Sequence, residues 1–216
     1  MPDPSYGVLV PVKPPRTAKS RLAPVGDGAR ERLAGAFALD TITAALGSPR
    51  VAVLLAVTDD HLLAAALEEA GALVLPDGVS DDLNQTLVLA AAELARRFPE
   101  LRPASLCADL PALRSVELTS ALDRAVPDAM SFVSDTESIG TTLVVAPTQE
   151  LFTPAYGGSS RGVHLRAGAV ELPADDLPTL RRDVDTPADL EAARKLGVGP
   201  HTSFVLSSGT TPARHR

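Results

Sequence analysis

One cysteine, Cys107, in a chain of 216 residues leaves no partner for an internal disulfide and too few thiolates for a Cys-rich zinc site. Tryptophan is absent and aromatic residues make up 3% of the chain, so stacking platforms for single-stranded nucleic acid have little to be built from. Basic side chains are the minority, 20 against 27 acidic ones, for a net charge of −7. Proteins that grip DNA or RNA by its phosphates show the opposite balance. Nucleic acid is therefore not an expected partner, although a local basic cluster can still bind a small anion. No apolar run approaches the ~20 residues that span a bilayer, and Met1–Ser5 lacks the basic and apolar regions of a signal peptide. The expected address is the cytoplasm, with no membrane association. The four histidines show no i, i+4 ligand spacing on a helix.

What is present is a chain that is 45% hydrophobic, in which Ala, Val and Leu must do the packing. Its length suits one domain, read as residues 1–200, with 201–216 showing no sustained period and expected to fray as a tail. Apolar runs at Gly7–Lys13, Val51–Val57, Leu73–Leu75, Ala104–Ala108, Ser131–Val133 and Leu143–Ala146 read as strands. Helical spacing or stop signals mark Ala29–Leu46, Asp60–Ala70, Asp82–Phe98, Val116–Ala125 and Pro187–Leu196 as helices. Phe152–Arg166 reads as a Gly/Ser loop entering a short helix, and Leu180–Val184 as extended. Strands that alternate with helices and are apolar on both faces predict an α/β fold, a mostly parallel sheet covered on both sides.

In such a sheet, ligands gather at the carboxyl ends of the strands, and three polar clusters fall there. Lys13, Arg16, Lys19 and Arg21 lie in the proline-stiffened loop PVKPPRTAKSRLAP, where Arg forks and Lys point charges can wrap a polyphosphate. A merely solvated basic loop explains the same residues. Asp109 ends a strand before Leu110-Pro111, and Asp183-Val184-Asp185 precedes a helix. Carboxylates at i and i+2 of an extended segment share a face, and with a third they offer the hard oxygens that suit Mg²⁺. Taken singly, Asp185 as a helix cap and Asp109 as a turn residue are equally good readings. Gly140-Thr141-Thr142 and Tyr156-Gly157-Gly158-Ser159-Ser160 present amides and hydroxyls that can cradle a phosphate or carboxylate, or simply make turns. His164 reads as a surface residue, with contact to an anion as the alternative, Cys107 as a small buried hydrophobe, and Asp82-Leu83-Asn84 as a helix start.

Together, PVKPPRTAKSRLAP, the LN of DDLNQTL, ADLPAL, GTTLVV, YGGSS…H…GA and RRDVDTPADL resemble the CofC/FbiD family of guanylyltransferases of coenzyme F420 biosynthesis. The match runs in the family's order from Val8 to about Gly199. DVDTPADL alone also occurs in related nucleotidyltransferases, whereas its combination with PVK…AKSRL and DLPAL is specific. The resemblance implies a single nucleotidyltransferase domain of the GT-A type and transfer of GMP from GTP to a three-carbon phosphoacid, with release of pyrophosphate. In actinobacterial members that acid is phosphoenolpyruvate, and in archaeal members 2-phospho-L-lactate. The Ala/Arg/Pro-rich composition favours phosphoenolpyruvate. Carried over by motif, Asp109, Asp183 and Asp185 would hold Mg²⁺, and Thr141, Gly157 and Ser160 the acceptor. The family's GTGT stands here as Ser138-Ile139-Gly140-Thr141, which leaves Thr142 as an alternative, and its FGP-type stretch stands as Tyr156-Gly157-Gly158. Lys13, Lys19 and Arg21 would face the GTP phosphates, Lys19 and Arg21 also serving catalysis, and Asn84 the nucleoside. A homo-oligomer, and hand-over of a labile product to the next enzyme of the pathway, are left open. The rival readings are a nucleotidyltransferase with another donor or acceptor, whose relatives open with L-A-G-G where this chain has Val10-Pro11-Val12-Lys13, and a nucleotide-binding protein without catalysis.

Overall fold

A computed structural model of the protein describes residues 5–14, 22, 26–78 and 82–208. Strand β1 (Tyr6–Pro11) shows why the apolar runs need cover on both sides. Val8 and Val10 pack into one core with Ala38 and Ile42 of helix α1 (Asp27–Leu46), Leu63 and Leu67 of α2 (His61–Glu69) and Leu118 and Leu122 of α4 (Ser115–Arg124). Leu9, between them, enters a second core with Leu87, Ala90 and Leu94 of α3 (Leu83–Arg97). The period-2 alternation of a strand thus feeds two helical layers at once. A third cluster joins Leu33 and Phe37 of α1 to Val184 and to Leu190 and Ala193 of α7 (Pro187–Leu196).

The seven strands, which include β2 (Val51–Val57), β3 (Leu73–Leu75), β4 (Arg102–Leu106), β5 (Ser131–Ser134), β6 (Thr141–Val145) and β7 (Val170–Glu171), lie in the order β3-β2-β1-β4-β6-β5-β7. β2 and β4 run parallel to β1, and β3 parallel to β2. β6 alone runs against its neighbours β4 and β5. The connection from β5 to β6 holds too few residues for a crossover helix, so the chain must reverse.

Two stretches differ from the local pattern. Leu180 is helical rather than extended, in the short helix α6 (Pro178–Arg181). Pro178 opens that turn, and the buried carboxylate of Glu117 accepts from the amides of Thr179 and Leu180 at 2.8 and 3.1 Å. Residues 201–208, expected to fray, belong to helix α8 (Pro200–Ser208). The buried Asp40 of α1 caps it, accepting from the amides of His201 and Thr202 at 3.0 and 2.8 Å. Both elements are made by partners remote in sequence, which no local pattern shows. Residues 209–216 lie outside the described chain.

Candidate active site

Because β1 and β4 are parallel, their carboxyl ends open on the same rim, and β6, running the other way, starts there. Lys13 follows β1 and is exposed. Lys19 and Arg21, like Arg16, lie outside the described residues. Asp109 follows β4, and its main chain is clamped by one buried side chain: the Thr41 hydroxyl of α1 donates to the Ala108 carbonyl at 3.2 Å and accepts from the Leu110 amide at 3.0 Å.

The Asp183-Val184-Asp185 segment links α6 to α7. Val184 is fully buried in the third cluster, while Asp183 and Asp185 on either side are only half-buried. An apolar anchor between two carboxylates on extended backbone turns both acids away from the core. The Val184 amide donates to the Asp109 carbonyl at 3.1 Å, so residues far apart in sequence share one stretch of rim. Thr186 caps α7, in a capping box with Asp189, so the capping explanation of Asp185 does not apply. Among the described residues, the carboxylates whose oxygens lie within 4.8 Å of one another as a group of three are Asp135, Glu137 and Asp183. Asp135 is occupied with the β5–β6 turn, accepting from the amides of Ile139 at 2.9 Å and Gly140 at 2.6 Å. A Cβ at position 140 would strike that carboxylate, which explains the glycine there.

Thr141 opens β6 beside the exit of β4, where the Cys107 thiol donates to the Thr141 carbonyl at 3.4 Å and the Cys107 amide to the Thr142 carbonyl at 2.9 Å. Cys107 is half-buried just past the strand and packs against the first core. The Thr141 hydroxyl meets Ser160, first residue of α5 (Ser160–Arg166), at 3.2 Å. The Thr142 hydroxyl is buried with no hydrogen-bond partner among the described residues. Gly157 and Gly158 lead into α5 with φ of 108° and 50°; the first of these is a conformation side chains rarely adopt.

This loop is pinned from three sides. Asn84 grips Tyr156, its carboxamide accepting from the Tyr156 amide at 2.7 Å and donating to the Tyr156 carbonyl at 3.0 Å. Asn84, the residue the resemblance assigns to the nucleoside, also holds this loop. The Tyr156 hydroxyl donates to the Ser105 carbonyl at 3.1 Å, and burial raises its pKa well above 10.0, keeping the proton in place. His164, read as a surface residue, is fully buried against Phe132 and Tyr156. Its Nε2 accepts from the Ala155 amide at 3.0 Å, and its Nδ1 faces the Thr141 hydroxyl, also at 3.0 Å. Thr41, Tyr156 and His164 carry no motif spacing; the one sequence signal was the YGGSS…H run itself.

Burial lowers the His164 pKa below 6.5. The folded protein then binds fewer protons than the unfolded chain just below neutrality. The contribution of His164 to stability is complete above pH ~6.5 and is lost as pH falls through the lower, folded value. Urea midpoints measured at pH 7.5 and 5.5 should therefore fall further for the wild type than for His164→Phe. Equal falls would show that this ring does not titrate in the window.

A profile of the family described as "Guanylyl transferase CofC like" matches residues 6–200. The chain belongs to that family. Relatives named phosphoenolpyruvate guanylyltransferase include one from Streptomyces coelicolor, 47% identical over 94% of this chain and 96% of its own, and one from Thermomonospora curvata, 45% identical over 94% and 89%. Among solved structures, a nucleotidyl transferase from Methanothermobacter thermautotrophicus superposes with a TM-score of 0.63 at 15% identity, covering 94% of this chain and 99% of that one. A cytidylyltransferase from Leptospira borgpetersenii superposes with a TM-score of 0.59 at 16% identity, covering 95% and 93%. These distant likenesses establish the nucleotidyltransferase fold. The family match spans both halves of the rim in this CofC-like chain, from Lys13 through Asp109 and Thr141 to the Asp183–Asp185 segment.

Proposed function

We propose that the protein transfers GMP from GTP to phosphoenolpyruvate in coenzyme F420 biosynthesis, giving enolpyruvyl-diphospho-guanosine and pyrophosphate. The observation that supports this is the Val184–Asp109 main-chain bond, which ties the Asp183–Asp185 segment to the residue that follows β4. The names of the relatives supply the substrates. Half-buried, all-oxygen donors reachable from solvent fit Mg²⁺, an ion that keeps waters and substrate phosphates in its shell. Asp109, Asp183 and Asp185 are the residues that would hold it. When bound, it neutralises phosphate charge as the reaction proceeds.

The chain's own part is placement. A phosphate oxygen of the acceptor forms a bond to the α-phosphorus of GTP, and the α–β bridging bond breaks to release pyrophosphate in line. The acceptor phosphate is already largely ionised near neutral pH, so no strong general base is required. Positioning and fixed electrostatics carry such transfers. Lys13, Lys19 and Arg21 are the residues that would bind the triphosphate, and Thr141, Gly157 and Ser160 those that would bind the acceptor. A reaction on GTP and phosphoenolpyruvate supports a cytoplasmic address. An enol diphosphate anhydride is labile, which favours hand-over to the next enzyme.

The test is pyrophosphate release from each nucleoside triphosphate with phosphoenolpyruvate or 2-phospho-L-lactate, and mass spectrometry of the product. GTP with phosphoenolpyruvate should be the productive pair; preference for phospholactate would reassign the acceptor, and release from no pair would leave a nucleotide-binding protein. Thr141→Val should raise the acceptor KM at least ~10-fold and leave the GTP KM within ~2-fold, as expected for one lost hydrogen bond to a charged group.

A further inference from the structure

We infer that His164 is a positioning residue that makes the Thr141–Ser160 hydroxyl pair a hydrogen-bond donor toward an anionic acceptor. The inference rests on the acceptor site proposed above and follows from counting protons. The Ala155 amide donates to His164 Nε2, and a main-chain amide cannot accept. In neutral imidazole the single ring proton must then sit on Nδ1. Nδ1 lies 3.0 Å from the Thr141 hydroxyl oxygen, so histidine donates and threonine accepts. Thr141 and Ser160 bring two hydroxyl protons to their mutual contact at 3.2 Å, which consumes one. Ser160 donates there, so the Thr141 proton remains and points away from the pair.

The opposite tautomer would reverse this. A bare Nδ1 would take the remaining proton, and the pair would offer only lone pairs, which repel a carboxylate or phosphate oxygen. Ala155 thus decides, through the ring, whether the pair attracts or rejects an anion. His164, Thr141 and Ser160 are all buried, so water cannot cheaply substitute for a missing donor. Ala155 directly precedes the pinned Tyr156-Gly157 turn, so the same contact couples the loop's position to the state of the hydroxyls.

Two measurements test this. In protein labelled with ¹⁵N-histidine, the His164 signal, identified by its loss in His164→Phe, should show a protonated Nδ1 and a bare Nε2 at pH 7.5; a proton on Nε2 overturns the inference. This readout needs no activity, so it stands apart from the assignment of the acceptor. In kinetics, His164→Phe fills the space without a donor. It should raise the acceptor KM on the order of tenfold while the GTP KM stays within ~2-fold. In a Thr141→Val background the same substitution should add less than ~2-fold, because its effect runs through that hydroxyl. Equal factors in both backgrounds, or an equal rise in the GTP KM, would reduce His164 to packing. If the wild type uses no phosphorylated acid while the Nδ1 proton is found, the acceptor reading fails and the tautomer stands.

Discussion

Asp109→Ala should leave the protein folded and lower turnover by at least ~10²-fold, the scale of removing one electrostatic stabiliser of a transition state. Main-chain contacts hold this segment in place. Thr41 brackets it through the Ala108 carbonyl and the Leu110 amide, and the Val184 amide meets the Asp109 carbonyl. The position is half-buried, so alanine leaves no large cavity. What is lost is one of the three carboxylates proposed above to hold Mg²⁺. The check is the rate of pyrophosphate release at saturating GTP and phosphoenolpyruvate, beside a thermal melt. Near-normal turnover in a folded variant would exclude this carboxylate from the reaction. Asp135 makes the contrast: its oxygens serve the amides of Ile139 and Gly140, so Asp135→Ala should register first in stability.

Glu117→Ala should destabilise the fold by about 2–5 kcal/mol, since it strips a shared acceptor from two buried amides at ~1–3 kcal/mol each. The carboxylate is 7% exposed and accepts from Thr179 and Leu180 through a single oxygen. At ~2–4 °C per kcal/mol for a chain of this size, the melting temperature should drop by roughly 5–20 °C. Glu117→Gln retains an amide oxygen able to accept both bonds and should cost less than ~2 kcal/mol. Similar losses for the two variants would mean that the space Glu117 fills, rather than its hydrogen bonds, holds α6. The loss should also reach activity, because α6 delivers the chain directly to Arg182 and Asp183.

The buried strands were readable because their apolar runs are uninterrupted and bounded by Gly, Pro or charge. β1 reads so since Val8, Leu9 and Val10 all need cover, which one helical layer cannot supply. The Pro187 helix was equally plain from the proline in its first turn, although its cap proved to be Thr186 rather than Asp185. Legibility failed where stabilisation comes from across the molecule. Helix α8 exists because Asp40 of α1 caps it and Val205 and Leu206 pack against the third cluster. Nothing within 201–208 shows that.

The candidate site divides in the same way. Asp109 and the DVD segment could be named from the chain alone, because carboxylates beside strand ends and helix starts have recognisable contexts. Their adjacency rests on a main-chain bond between residues 109 and 184, an outcome of sheet order and of Val184 seeking the core. The burial of His164 was not legible, since a lone histidine carries no periodicity, and its role depends on which donors and acceptors the fold leaves around it. By itself the sequence determined the α/β layering, the family and the acidic and basic residues available for chemistry, all consequences of local pattern. Only the tertiary structure decided which polar groups are buried together. Satisfying buried amides and hydroxyls is a property of the whole packed chain, and it is what sets the His164 proton and the direction of the Thr141 hydroxyl.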